Sequence, residues 1–276
     1  MLSLLSRWFG RLRLHREVAA LERRAIPDDL WKRTLVRFPF LRRRDDPGAT
    51  ELRRLTALFL DRKEFHAVGA LKLTDVMAVS IAAQAALPVL RLGLHRYDDF
   101  VGIVVHADQV SARREHIDQD GIAHAYDEIL AGEAARGGPV MLSWRDVRAA
   151  GSHWGSAYNV VIHEFAHVLD LAGGEADGVP PLPPEVPVSE WRAQLTQSKD
   201  AFVQRLQREL PSCIDPYAAQ ADEEFFAVCS ECFFVSPEAL QDEDPSLYGM
   251  LTRFYKQDPA AEQPDLVAKA RKAPAI

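Results

Sequence analysis

Residues 163–167 read His163-Glu164-Phe165-Ala166-His167, inside an apolar run that includes Val160, Val161, Val168 and Leu169. On an α-helix, histidines four apart lie on one face a turn apart, so both imidazoles can meet one metal ion. Glu164 is rotated by ~100° around the helix, which brings it toward a water at the metal rather than to the metal itself. Histidine and glutamate side chains on so apolar a helix need partners, and a metal supplies them. The pattern predicts a largely buried helix from near Ser156 to Leu171, capped by Asn159 or Ser156 and stopped at Gly173-Gly174.

A catalytic zinc takes three protein ligands and a water, so a third ligand is needed. Asp170 shares the helical stripe of His163 but lies ~10.5 Å further along the axis, too far for a short side chain to share the metal. It also sits at the helix C-terminus, where the macrodipole disfavours an acid. The expectation for Asp170 is a partner to a histidine N–H or to a nearby base. The better candidate for the ligand lies in Asp222–Phe234, where Phe225, Cys229, Cys232 and Phe233 form an apolar stripe and Glu224 and Glu231 stand seven apart on one line. A buried carboxylate must be paired, protonated or metal-bound. With two histidines lacking a third ligand, Glu224 is the favoured one.

The rest of the chain is helix-rich. Residues 1–45 are rich in Arg and Leu and read as helical up to a turn at Asp45-Asp46-Pro47-Gly48, and helical spacing resumes over Thr50–Lys63. Thr74-Asp75 opens a helix that runs to Leu87, is apolar nearly all round and so belongs in the centre of the fold. Strands are expected at Val89–Leu92, Val101–Val105 and Val140–Trp144. Five prolines in 175–187 preclude a helix or central strand there, leaving a stiff surface connection or the rim of a cleft. Further helices are expected at Ser189–Leu210, Asp222–Phe234 and Pro245–Gln257, with a poorly ordered tail beyond Asp258.

A net charge of −7 argues against a nucleic-acid-binding surface. Three cysteines, Cys213, Cys229 and Cys232, suit a reducing cytoplasm. The Cys229–Cys232 spacing, lying in an apolar segment without a second pair, reads as two small buried hydrophobes. No stretch is long and apolar enough to span a membrane. The basic, amphipathic opening Met1–Arg11 is too short for a secretory signal and is expected to dock on the body or to fray, ahead of weak contact with a membrane surface. A cytoplasmic protein without membrane insertion is expected.

These residues together resemble a known family. His163-Glu164-Phe165-Ala166-His167-Val168-Leu169-Asp170, Asp215-Pro216-Tyr217-Ala218-Ala219 and Glu224-Phe225-Phe226-Ala227-Val228 are similar to segments of the Mlc titration factor A family. So are Ile81–Pro88, Val140–Trp144, Asn159–Ile162 and Phe254–Pro259. Its members are bacterial cytoplasmic zinc peptidases with a site related to the catalytic domain of anthrax lethal factor. The resemblance covers roughly 35–260, which makes 1–34 an N-terminal helical segment and 261–276 a tail.

The resemblance implies an α+β, zincin-like fold: a mixed sheet, a buried backing helix, an active-site helix and a largely helical C-terminal half. It implies one zinc per chain held by His163, His167 and Glu224, with Glu164 as general base and Tyr217 as an active-site phenol. Glu164 would take a proton from the attacking water and return it to the leaving amine, while Tyr217 would donate to the developing oxyanion. The strand at Val140–Trp144 would form a sheet edge for an extended peptide. Peptide or protein substrates follow, with endo- versus aminopeptidase action open. The family name also implies binding to a transcriptional repressor. The competing reading is a non-catalytic protein that sequesters a regulator on a zinc-bound scaffold.

Overall fold

The sheet and the helices around it are set by where apolar residues fall. The computed structural model of the chain describes residues 15–117, 123–150 and 157–261. Helix α1 covers 15–23, followed by α2 (Asp28–Arg37), α3 (Asp46–Arg62) and α4 (Asp75–Ala86). Strands β1 (Glu64–Ala67), β2 (Gly102–His106), β3 (Val110–Ile117), β4 (Ala123–Leu130), β5 (Gly132–Ala134) and β6 (Val140–Ser143) fill the first half. Helices α5 (Trp144–Ala149), α6 (Val160–Leu171), α7 (Val188–Gln207), α8 (Asp222–Val235), α9 (Pro237–Glu243) and α10 (Pro245–Tyr255) follow. The architecture is α+β, mostly helical, with a small mixed sheet.

That sheet has the order β1-β2-β6-β5. Strands β1, β2 and β6 are parallel, and β5 runs antiparallel to β6 at the edge. Strand β2 alternates along its length, and its inward Ile103 and Val105 pair in register with Val140 and Leu142, all four buried. Strands β3 and β4 form a separate antiparallel hairpin.

Helix α4 is the buried backing helix that its sequence predicts: Ile81, Ala82, Ala83, Ala85 and Ala86 have no exposed surface, and Thr74 caps it by accepting from Met77 N at 3.3 Å. Its one central amide, Gln84, receives Asn159 Nδ2 at 2.9 Å. Asn159 in turn caps α6, accepting from Ile162 N at 3.0 Å. The start of α6 is thereby tied to the core by polar groups that are each satisfied. Phe165, a middle residue of the histidine motif, packs its ring 4.9 Å from Tyr97, 5.6 Å from Phe59 and 5.9 Å from Phe100. This anchors the back of α6 and leaves the histidine face toward α8.

Several expectations are corrected. Leu87–Leu92 forms turns rather than a strand, with Gly93 N bonding Val89 O at 2.7 Å and Gly93 at φ 90°. A short buried apolar run carries no period that separates the two outcomes. Asp45-Asp46-Pro47-Gly48 opens α3 instead of forming a free turn: Asp45 Oδ1 accepts from Gly48 N at 2.7 Å and Pro47 sits in the first turn. Strand β6 lies between β2 and β5, so the edge strands of this sheet are β1 and β5 and not Val140–Trp144. The proline-rich stretch is a tied-down connection: Gly178 O accepts from Trp191 Nε1 at 2.8 Å, and Val186 is buried. The expectations for Met1–Arg11, for a Ser156 cap and for the tail beyond residue 261 fall outside the described residues. No helix among the described residues is long and apolar enough to cross a membrane.

Candidate metal centre

Helix α6 packs against α8, and the contact brings three side chains to one point. His163 Nε2 lies 3.1 Å from His167 Nε2 and 3.1 Å from Glu224 Oε2, and His167 Nε2 lies 3.5 Å from Glu224 Oε2. Four tetrahedral ligands at ~2.0–2.1 Å from a zinc ion stand about 3.3 Å from one another. The observed triangle matches that edge length. All three side chains are mostly buried, and among the described residues they form a group of three able to hold a metal.

The chemistry of the donors points the same way. Glu224 Oε2 is buried and makes no hydrogen bond, although two imidazole nitrogens stand beside it. Burial opposes ionisation of Glu224, yet the two histidines hold its carboxyl down at about 2. Burial likewise opposes a proton on His163, and the facing Glu224 and Glu231 carboxylates outweigh it, raising the imidazole above its ordinary range. The pocket thus concentrates negative charge and attracts a cation, whether proton or metal.

His163 has a second partner. Its Nδ1 lies 2.8 Å from Glu231 Oε1, and the other Glu231 oxygen accepts from the backbone N–H of Asn159. A carboxylate facing Nδ1 favours the ring proton there, so that a cation replacing the Nε2 proton would meet the Nε2 lone pair beside Glu224 and His167. Sequence reasoning misses this role for Glu231, although its spacing from Glu224 on an apolar helix carries the signal. The role expected for Asp170 is corrected. Asp170 Oδ2 accepts from Gly178 N at 2.8 Å, so this acid pins the chain after α6 and bonds neither histidine. Burial pushes its carboxyl up to about 6, against the pull of that hydrogen bond.

Glu164 is 5% exposed, and burial pushes its carboxyl up to about 7. It borders a cleft of about 420 Å³ walled by His163 and Glu164 of α6, Val228 and Glu231 of α8, Gly132 of β5, and the segment Ser212–Tyr217. Tyr217 enters on the 3-10 turn Pro216–Ala219, which Asp215 caps by accepting from Tyr217 N at 2.9 Å. Its ring centroid is 6.1 Å from that of His163, and the residue is 38% exposed. His163, Glu164 and Tyr217 thus line one cleft, and His167 and Glu224 adjoin it through their contacts with His163. Cys229 and Cys232 are buried, with Cys232 Sγ 2.9 Å from Cys213 O, as expected of small apolar residues.

Comparison with known proteins shows the family. The glucose-regulated metallo-peptidase M90 family matches over residues 11–256. Mlc titration factor A of Pectobacterium atrosepticum is 35% identical over 229 residues, covering 82% of this chain and 85% of the relative. Mlc titration factor A of Edwardsiella ictaluri is 37% identical over 218 residues, covering 77% and 82%, and that of Yersinia pestis 33% over 233 residues, covering 82% and 84%. The chain belongs to the glucose-regulated metallo-peptidase M90 family.

Proposed function

We propose that this protein is a zinc-dependent peptidase of the cytoplasm with a zincin-like catalytic domain over 35–260. The convergence of His163, His167 and Glu224 beside the buried carboxyl of Glu164 is the observation that carries the reading. His163, His167 and Glu224 would hold the zinc, one per chain. When bound, the ion supplies a Lewis acid for the scissile carbonyl and lowers the pKa of a water toward ~7.

The protein's own groups do the remaining work. Glu231 keeps the proton of His163 on Nδ1 and so holds the ring in its ligating tautomer. Glu164, buried beside the three ligands, accepts the proton of the attacking water and passes it to the leaving nitrogen. Tyr217 donates its hydroxyl proton in a hydrogen bond to the oxyanion as it forms, an interaction worth about 2–4 kcal/mol in comparable sites. Gly132 of the edge strand β5 lines the cleft, and this strand would supply backbone groups along which an extended peptide pairs.

The name shared by the relatives supports a second role, the titration of a regulator called Mlc. Catalysis comes first, because a scaffold for a partner protein has no use for Glu164 and Tyr217. The deciding experiment is a peptide-library digest with wild type and Glu164→Gln, each assayed for zinc. The variant should keep zinc and fold and lose cleavage, since an amide takes no proton. Cleavage close to wild type would remove Glu164 from the mechanism and favour the regulator-binding role alone.

A further inference from the structure

The edge strand and the histidine helix touch at one point. A Cβ placed on Gly132 would lie 2.4 Å from Glu164 Oε1, 2.6 Å from Glu164 Cγ and 2.7 Å from Glu164 Cδ. All three nearest atoms belong to one side chain, which occupies the volume any other residue at 132 would fill. Among the described residues the glycines at positive φ are Gly69, Gly93, Gly137, Gly174 and Gly178, and Gly132 is not one of them; it pairs with Leu142 in ordinary antiparallel register. Backbone conformation therefore does not require a glycine here. A glycine weakens a strand, and within one it marks a close approach by another group.

We propose that Gly132 is the positioning residue for Glu164: the missing side chain lets the Glu164 carboxylate rest against the backbone of the edge strand. Strand β5 then walls the carboxylate from behind while offering its open side to a peptide. Base and substrate are in this way referenced to the same three-residue strand. The inference rests on the proposed role of Glu164 as proton acceptor. Because the atoms in the way, Cγ, Cδ and Oε1, all belong to one side chain with rotatable bonds and none to the backbone, Gly132→Ala should fold and should push the carboxylate aside by about 1 Å, a misplacement that costs ~100-fold in rate.

Two measurements test this. The first is thermal unfolding of the metal-free protein as wild type, Gly132→Ala, Glu164→Ala and the double variant. Gly132→Ala should lower Tm by about 2–12 °C in the wild-type background, through overpacking. In the Glu164→Ala background the new methyl enters vacated space, so Tm should hold or rise, as for glycine replaced at a compatible position. An equal change in both backgrounds would overturn the contact. The second is steady-state kinetics of the zinc-loaded Gly132→Ala variant, with kcat expected to fall ~100-fold while KM and zinc content stay near wild type. Unchanged kcat would overturn the positioning role. If Glu164→Gln were also active, the fault would lie in the reading of Glu164; if Glu164→Gln were dead, it would lie with Gly132.

Discussion

Glu231→Gln is a one-atom change with a large expected effect on zinc. Both Glu231 oxygens receive donors, Oε1 from His163 Nδ1 at 2.8 Å and the other from the Asn159 amide. Glutamine keeps one acceptor and turns the second into an NH2 that faces an N–H. Either Asn159 loses its acceptor and the first turn of α6 loosens, or His163 loses the group that holds its tautomer. In the second case the proton is free to move to Nε2, the atom that faces Glu224 and His167. Removing the outer partner of a ligating histidine costs about 10–100-fold in metal affinity, equivalent to about 1.4–2.7 kcal/mol. A buried donor without an acceptor costs about 1–3 kcal/mol of stability, or roughly 2–12 °C in Tm for a chain of this size. Competition with a chromophoric zinc chelator reads the first quantity, and unfolding of the metal-free protein reads the second. A lowered Tm with wild-type zinc affinity would refute the tautomer argument and leave Glu231 a purely structural acid.

Tyr217→Phe should lower kcat by about 10- to 1000-fold with a smaller change in KM and little change in Tm or zinc content, because the half-exposed ring stays and one hydroxyl goes; full activity with a markedly lower Tm would make that hydroxyl structural. Phe165→Ala removes a fully buried ring that packs on three others and should cost about 3–5 kcal/mol in chemical denaturation; a loss below about 1 kcal/mol would mean that α6 is not anchored through this ring. Burial pushes the Asp170 carboxyl in the folded protein up to about 6, above its ordinary value of 3.8. Its contribution to stability is therefore complete below the unfolded value and lost as pH rises through the folded one. Asp170→Asn should flatten the pH dependence of unfolding free energy between about 4 and 6, and an unchanged slope would show that Asp170 does not titrate there.

The parts of the molecule legible in its sequence are those where a long apolar pattern meets a clear cap. Thr74 and Asn159 each mark a helix start, and α4, α6 and α8 bury enough surface to make neighbouring context secondary. The histidine pair and Glu224 are legible for the same reason, since a polar group on an apolar helix must be paired, protonated or metal-bound. Strand β1 is not: Glu64 and His66 are exposed, and four residues become a strand only because β2 lies alongside. Strand β5 has three residues and owes its conformation to β6. The hairpin of β3 and β4 does carry a usable signal, the Asp120-Gly121 pair in the sequence between its strands. Asp170 misleads because its stripe on α6 says nothing about the loop that returns to it, so its bond to Gly178 is invisible before the fold. Glu231 is legible as a buried acid, but which histidine nitrogen it meets is decided by how α6 and α8 cross.

Zinc stoichiometry by elemental analysis, measured after exhaustive dialysis, bears most directly on the three-residue centre. Wild type, Glu164→Gln and Asp170→Asn should each retain one zinc per chain, whereas Glu224→Gln should lose it, because the triangle of His163, His167 and Glu224 is then reduced to two ligands. Full zinc in Glu224→Gln, or its loss in Asp170→Asn, would contradict the assignment.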